Sequence, residues 1–234
     1  MLELPGMRKV LSTLKTLILN LIYPKSCLGC AKPGLYLCVS CLDQIPRAPK
    51  QCYVCHHPSI NGLTHSKCTT RYSLESLLVF AHYNGLVKKL IKTFKYRFVS
   101  EIGIILGNHL AQIFAEELPQ VDLVTFVPIS KETQRTRGFN QSEILANTIS
   151  NSIRTPVVSS LTKTKTTKNQ AALTVVQRKL NLKGVFQSVG IVKNKRVLLV
   201  DDVCTTGTTL NECAKELRKA GASKVYGLVI ARGK

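Results

Sequence analysis

The stretch Arg196-Val-Leu-Leu-Val-Asp-Asp-Val-Cys-Thr-Thr-Gly-Thr-Thr209 decides the fold. Val197 to Val200 is an unbroken apolar run, the pattern of a strand covered on both faces in a parallel sheet. The run meets two adjacent carboxylates, Asp201 and Asp202, and then a Thr/Gly turn. From Thr208 to Ala220, apolar Leu210, Ala214 and Leu217 recur near helical spacing, and Gly221 follows as a C′ residue. Lys224 to Ala231 reads as the next strand. Strand, turn, helix and strand make one βαβ unit, which predicts an α/β fold on a parallel sheet. Thr205, Thr206, Gly207, Thr208 and Thr209 offer backbone N–H groups and hydroxyls to a phosphate at a helix N-terminus. The carboxylates suit ribose hydroxyls, held directly or through Mg²⁺. A plainer reading has the aspartates only ending a strand and capping a helix. One Asp does that job; two side by side repel unless something cationic or hydroxylated joins them.

A chain of 234 residues holds one large or two small domains, and 44% hydrophobic residues suffice for a core. Thirty-three Lys and Arg against 13 Asp and Glu give a formal charge of +20. That exceeds what solubility needs and points to a polyanionic partner, nucleic acid before anionic lipid. A generally basic protein without such a partner is the bland alternative. With 6% aromatics and no Trp, the composition argues against an extensive base-stacking platform and favours phosphate-dominated, salt-sensitive contacts.

Near the start, Arg8 and Lys9 precede a mostly apolar stretch from Val10 to Ile22. Lys15 and Asn20 interrupt it and no small-residue cleavage site follows, which argues against a signal peptide. It is too short and too polar for a membrane span. Leu28-Gly29-Cys30 is faintly like a lipoprotein cleavage box, but Cys27 stands where such a box has an aliphatic residue. Leu11, Leu14, Ile18, Leu21 and Ile22 share one helical face. They predict a short amphipathic helix packed on the protein, with a membrane-touching helix as the alternative.

Nine cysteines are not spread as a disulfide framework. Seven lie between Cys27 and Cys68; Cys204 and Cys213 lie in the C-terminal motif and its helix. The odd count and the paired C-x-x-C spacing favour metal in a reducing compartment. The spacing is Cys27-x2-Cys30-x7-Cys38-x2-Cys41, then Cys52-x2-Cys55-x9-His65-x2-Cys68. Each C-x-x-C turn presents two thiolates to one tetrahedral ion, and two turns close a structural Zn²⁺ site with no open position. His65 stands where a fourth cysteine of the second quartet would be, which gives a Cys₃His set. His56 and His57 are rivals for that place, and spacing also allows a crossed pairing of Cys27 and Cys30 with Cys52 and Cys55. A segment this small needs metal staples rather than a core. The Pro-containing, basic stretch from Gln44 to Gln51 links the two knuckles. At Arg71 the pattern changes to the apolar run Leu74 to Ala81, so the sequence divides as 1–71 and 72–234.

In the second part, Leu86, Leu90, Ile91 and Phe94 make the apolar face of a helix whose remainder carries Lys88, Lys89, Lys92 and Lys95. With Tyr96 and Arg97 beside them, these lysines form the chain's best nucleic-acid surface; a solvated face is the alternative. Glu101 to Leu118 is a second helix. Val121 to Val127 reads as a strand, and the polar loop Pro128 to Lys131 at its end sits where ligand crevices open in parallel sheets. Arg135, Arg137 and Gly138 suit an anion, unless the arginines are solvated and Asn140 merely caps the next helix. Lys163, Lys165 and Lys168 stand among threonines, like a loop that closes over a pyrophosphate.

The stretch from Val200 to Thr209 resembles the 5-phosphoribosyl 1-pyrophosphate (PRPP) signature of type I phosphoribosyltransferases. The chain as a whole resembles the ComF family, the competence protein F/GntX group. The resemblance rests on the cysteine pairs, Val127-Pro128, Arg135-x-Arg137-Gly-Phe-Asn-Gln141, Gln170-x-x-Leu173, Arg178-x-x-Asn181 with Phe186, and Val200 to Thr209. It implies a cytoplasmic protein with an N-terminal double zinc ribbon and a type I phosphoribosyltransferase-like parallel sheet flanked by helices. It also implies handling of internalised single-stranded DNA during natural transformation or in using DNA as a nutrient. A helicase-like translocase and recombination mediators are the implied partners. Carried over by position, Asp201 and Asp202 face the ribose hydroxyls of Mg²⁺–PRPP and Thr205 to Thr209 cradle its 5-phosphate. Pro128 to Lys131 lie near its pyrophosphate, and Arg135 and Arg137 line the anion side. His65 departs from the cysteine of many relatives. Cys204, close to a helix N-terminus, is expected to be acidic. A transferase also needs an acceptor site and a hood, and neither is visible in the residues, so binding without turnover and active phosphoribosyl transfer both stay open.

Overall fold

The expected βαβ unit is the middle of the sheet. In the computed structural model, which describes residues 25–96, 99–164 and 184–233, Arg196–Cys204 is a strand (β5) and Thr208–Lys219 a helix (α6). Lys224–Arg232 is the strand that returns parallel to β5 (β6). Leu77–His82 (β1) pairs with β6 and Leu123–Phe126 (β2) with β5, giving a four-stranded parallel sheet in the order β1-β6-β5-β2. Asp122 fixes the β2–β5 register: its carboxylate accepts the Arg196 backbone N–H at 2.7 Å and the guanidinium Nη2 at 3.0 Å. These two groups, the guanidinium before the amide, hold the Asp122 carboxyl down at about 2.

The apolar run of β5 alternates between two cores, as side chains of a strand must. Val197 and Leu199 join Leu210, Cys213, Ala214 and Leu217 of α6. The opposite face carries three helices: Gly85–Tyr96 (α2), Ser100–Ile113 (α3) and Gln141–Ile153 (α5). There Leu90, Ile91, Phe94, Ile102, Leu106, Leu110, Leu145 and Ile149 are all fully buried. Two glycines let α3 come close. A methyl on Gly103 would lie 2.4 Å from Phe94 Cζ, and one on Gly107 2.8 Å from Thr148 Cβ. Between β2 and α5 the chain does not stay a loop, because Lys131–Arg137 is a short helix (α4) capped by Ser130, whose Oγ accepts the Thr133 N–H at 3.1 Å. Leu161–Lys163 (β3) and Phe186–Ser188 (β4) form a separate antiparallel pair.

By packing, the chain divides into Met1–Ile45 and Pro46–Lys234. The first unit holds the turn at Cys27 and a single turn of helix, Val39–Asp43 (α1). In the second unit the link read between the knuckles becomes an added edge of the sheet. The Ala48 N–H donates to Phe80 O at 2.8 Å and Arg47 bridges Ala81. The division by composition at Arg71 therefore lies later than the division by packing, because residues 46–71 lean on β1. The predicted amphipathic helix before Tyr23, Arg97, the lysine loop beyond Thr164, and Gln170 through Asn181 lie outside the described residues. No helix among the described residues is long and apolar enough to cross a membrane.

Candidate phosphoribosyl site and metal centres

The three strands β1, β6 and β5 end together, which opens a crevice at their C-terminal edge, where parallel sheets place ligands. A pocket of about 280 Å³ lies there, lined by residues 201–205 and 207–210 together with Tyr83 and Lys95. Its floor is the acidic pair. Asp201 is 9% exposed and Asp202 6%. Asp201 Oδ1 accepts the Ser142 hydroxyl at 2.8 Å and the Asp202 backbone N–H at 2.9 Å. Burial, and then the neighbouring Asp202 carboxylate, pushes the Asp201 carboxyl up to about 7, against the pull of Lys95 and Ser142. Asp202 Oδ2 meets the Lys95 ammonium at 2.6 Å. Burial alone would lower the Lys95 pKa, but the two carboxylates outweigh it and the net shift is upward.

Above the floor, the Thr/Gly turn opens a helix. Gly207 takes φ +74°, a left-handed conformation that glycine adopts without steric cost, and it is the residue from which α6 starts. Gly207 has no side chain to cap this helix start, although the Thr208 N–H points to Thr206 Oγ1 at 3.5 Å, and N–H groups at a helix start suit an anion. Thr206 Oγ1 and Thr208 Oγ1 lie 2.8 Å apart across the mouth. Cys204 is not acidic as expected: burial pushes its thiol up to about 11, and the nearby Arg232 charge offsets this only in part.

The other predicted ligand-binding positions are not part of the pocket's lining. Pro128 lies between β2 and α4, Lys131 opens α4, and Lys131 and Arg135 are exposed. Arg137 is closer to the theme: its guanidinium stacks 5.2 Å over the Tyr96 ring and its Nη1 donates to Gln141 Oε1 at 3.4 Å. Of the basic helix, Lys88, Lys89 and Lys92 face solvent, while Lys95 turns into the pocket. Three contributors escaped the sequence reading. Ser142 belongs to a helix 59 residues before its partner Asp201. Tyr83 follows β1 into the crevice. Lys95 was grouped with its helix neighbours, and only the packing of α2 on the sheet separates it from them.

Two further clusters lie in the cysteine segment. The ligand atoms of Cys27, Cys30, Cys38 and Cys41 lie within 4.8 Å of one another, and so do those of Cys52, Cys55, His65 and Cys68. The pairing is therefore sequential, not crossed. His65 Nδ1 lies 3.2 Å from Cys55 Sγ, and Nε2 lies 3.1 Å from the Pro58 carbonyl. A proton on Nε2 directs the Nδ1 lone pair at the cluster, the usual arrangement of a metal-bound histidine. His56 is occupied elsewhere, with Nε2 3.0 Å from Arg232 Nη2. Both donor sets fit a tetrahedral zinc ion. Against burial, which raises it, backbone N–H groups from Cys30, Cys38 and Gly29 hold the Cys27 thiol down at about 6. Its cluster mate Cys41 is pushed up to about 12, chiefly by its hydrogen bond with Cys38. Four thiolates together need a cation to be ionised at once, and a divalent ion supplies it.

The second cluster is tied to the pocket. Tyr53, between Cys52 and Cys55, is 2% exposed, and its hydroxyl donates to Asn211 Oδ1 of α6 at 2.6 Å while accepting the Leu74 N–H at 3.2 Å. Burial raises this phenol to about 12, so it stays protonated as a donor. Its ring backs Gly207, where an added methyl would lie 3.2 Å from Tyr53 Cδ2.

Comparison with known proteins matches this geometry. The family model for the phosphoribosyl transferase domain matches residues 99–234. Competence protein F of Haemophilus influenzae is 33% identical over 223 residues, covering 90% of this chain and 96% of the relative. DNA utilization protein YhgH of Escherichia coli is 31% identical over 166 residues, 68% of this chain and 72% of the relative. Competence protein ComFC of Bacillus subtilis is 25% identical over 215 residues, 86% of each. With the family model matching more than half of the chain and relatives of this similarity matching most of its length, the chain belongs to the ComF family of phosphoribosyl transferase-domain proteins.

Proposed function

We propose that this protein handles single-stranded DNA in the cytoplasm, in natural transformation or DNA use, and holds PRPP with Mg²⁺ in the pocket at the end of β5. The observation that carries the reading is the pocket itself: a buried acidic pair beneath a helix start that opens on Gly207, a match to the hydroxyls and 5-phosphate of a phosphoribosyl group. Asp201 and Asp202 take the hydroxyls and 205–209 the phosphate; Arg137 already lies near enough to Lys95 for their charges to interact, and Pro128, Lys131 and Arg135 approach if the segment around α4 moves inward. The formal charge of +20 and the exposed Lys88, Lys89 and Lys92 support the DNA part. The names of the Haemophilus and Escherichia relatives concern competence and DNA utilization. The two cysteine clusters are read as zinc sites, Cys27 to Cys41 bracing the first unit and Cys52 to Cys68 the start of the second, and as docking surfaces. A helicase-like translocase and a recombination mediator are the partners these surfaces suit.

The test is a titration of fluorescent single-stranded DNA at several salt concentrations, with and without Mg²⁺–PRPP. Each phosphate contact contributes about 0.7 to the slope of log affinity against log salt. Charge reversal at Lys88, Lys89 and Lys92 is expected to reduce that slope; an absence of DNA binding at low salt refutes the DNA part. A second reading, transfer of the phosphoribosyl group to an acceptor with release of pyrophosphate, is favoured by the complete acidic and Thr/Gly motif. Acceptor-dependent pyrophosphate release from pools of bases and amines is its measurement.

A further inference from the structure

We propose that Lys95 is a ligand-binding residue of the pocket, and that its ammonium lets the acidic pair accept an anionic phosphoribosyl ligand without a divalent cation. The inference rests on the pocket reading above and deepens it. Two adjacent carboxylates oppose any polyanionic ligand unless positive charge joins them. Here the protein provides that charge itself: Lys95 Nζ lies 2.6 Å from Asp202 Oδ2, at the place where a cation bound to Asp202 would stand. An ammonium has three N–H donors. One serves Asp202, and the others are free to reach phosphate or pyrophosphate oxygens in a pocket that Lys95 lines.

The lysine is held there by its helix. Val87, Leu90, Ile91 and Phe94 are buried, and Phe94 is locked between the bare face of Gly103 and the Phe139 ring, 5.8 Å between centroids. The next residue therefore has little choice of direction. The Lys95 side chain is 21% exposed, whereas Lys88, Lys89 and Lys92 of the same helix are open to solvent. A second positive group stands nearby. The Arg137 guanidinium, stacked on Tyr96, repels Lys95, and an anion between the two would relieve the repulsion. Lys95 also precedes the segment matched to the phosphoribosyl transferase domain, which begins at residue 99. The charge is brought to the pocket from outside that segment.

The experiment measures PRPP affinity by calorimetry on zinc-loaded protein, with Mg²⁺ and in resin-treated buffer without it, with zinc content checked in both. The wild-type chain is expected to bind in both buffers, with affinities within about tenfold of each other, because one charged contact replaces another. Lys95→Met is expected to lose at least about tenfold without Mg²⁺ and much less with it, Lys95→Arg to keep most of the metal-free binding, and Lys224→Met, exposed at the opposite end of β6, to behave as wild type. Strictly Mg²⁺-dependent binding by the wild-type protein overturns the inference and leaves the pocket reading in place; that arm needs no variant to fold. Unchanged metal-free binding by Lys95→Met overturns it equally. No PRPP binding in either buffer removes the pocket reading and the inference together.

Discussion

Replacing Tyr53 with Phe tests whether the second cysteine cluster and the phosphate turn are one structural unit. The substitution keeps the ring against Gly207 and removes one oxygen. That oxygen makes two hydrogen bonds, accepting from the Leu74 N–H at 3.2 Å and donating to Asn211 Oδ1 at 2.6 Å. Leu74 is fully buried, so its N–H is left without a partner where water does not reach. An orphaned buried polar group costs about 1–3 kcal/mol, and the lost bond to Asn211 about 1 more, partly recovered because Asn211 is only half-buried. We expect a net loss of about 2–3 kcal/mol. For a chain of this size each kcal/mol lowers Tm by about 2–4 °C, so the melting point should fall by about 4–12 °C. The assay is a urea or thermal melt on zinc-loaded protein with zinc content checked, because metal loss would add its own destabilisation. PRPP affinity should fall a few-fold as well, since Asn211 lies in the first turn of α6. A loss below about 0.5 kcal/mol with unchanged affinity would refute the reasoning: the hydroxyl would then find water in both states.

The acidic pair gives the pocket a pH dependence. The Asp201 pKa is raised in the folded state to about 7, so its protonated form stabilises the ligand-free fold below the unfolded carboxylate range near 4. That stabilisation is lost as pH rises from about 4 through about 7, and Asp201→Asn should flatten the loss in melts across that window. Mg²⁺–PRPP binding favours the ionised carboxylate, so it should release protons and strengthen as pH passes 7; a titration in buffers of different ionisation enthalpy reads this directly. Metal analysis should find two zinc ions per chain, falling to one in Cys68→Ser, with the first cluster intact. One zinc in the parent chain would remove the Cys₃His site.

The βαβ unit was legible because period and punctuation agree: an unbroken apolar run, a Thr/Gly turn, helical spacing and a C′ glycine all point one way. The cysteine clusters were legible for a similar reason, since C-x-x-C spacing carries its own geometry. What stayed hidden depends on contacts between distant elements. Lys95 shares its helix with three solvated lysines, and no periodicity distinguishes a lysine that reaches Asp202 from one that reaches water. Ser142 is an ordinary residue in the first turn of α5 until β5 is laid beside it. The stretch from Gln44 to Gln51 has the composition of a link, yet its Arg47 and Ala48 pair with β1, and pairing leaves little mark on the composition of an edge. The acidity expected of Cys204 from its neighbouring helix start was overridden by burial in the core. Local sequence reports propensity; burial is decided by the rest of the chain.

The central claim is that the crevice beyond β5 is a PRPP pocket built on Asp201 and Asp202. Calorimetric titration of Mg²⁺–PRPP into the wild-type protein and Asp202→Ala tests it most directly. Saturable binding of one ligand per chain, abolished in Asp202→Ala while zinc content stays the same, is the predicted result. No binding at millimolar ligand, or equal binding by the variant, would contradict it.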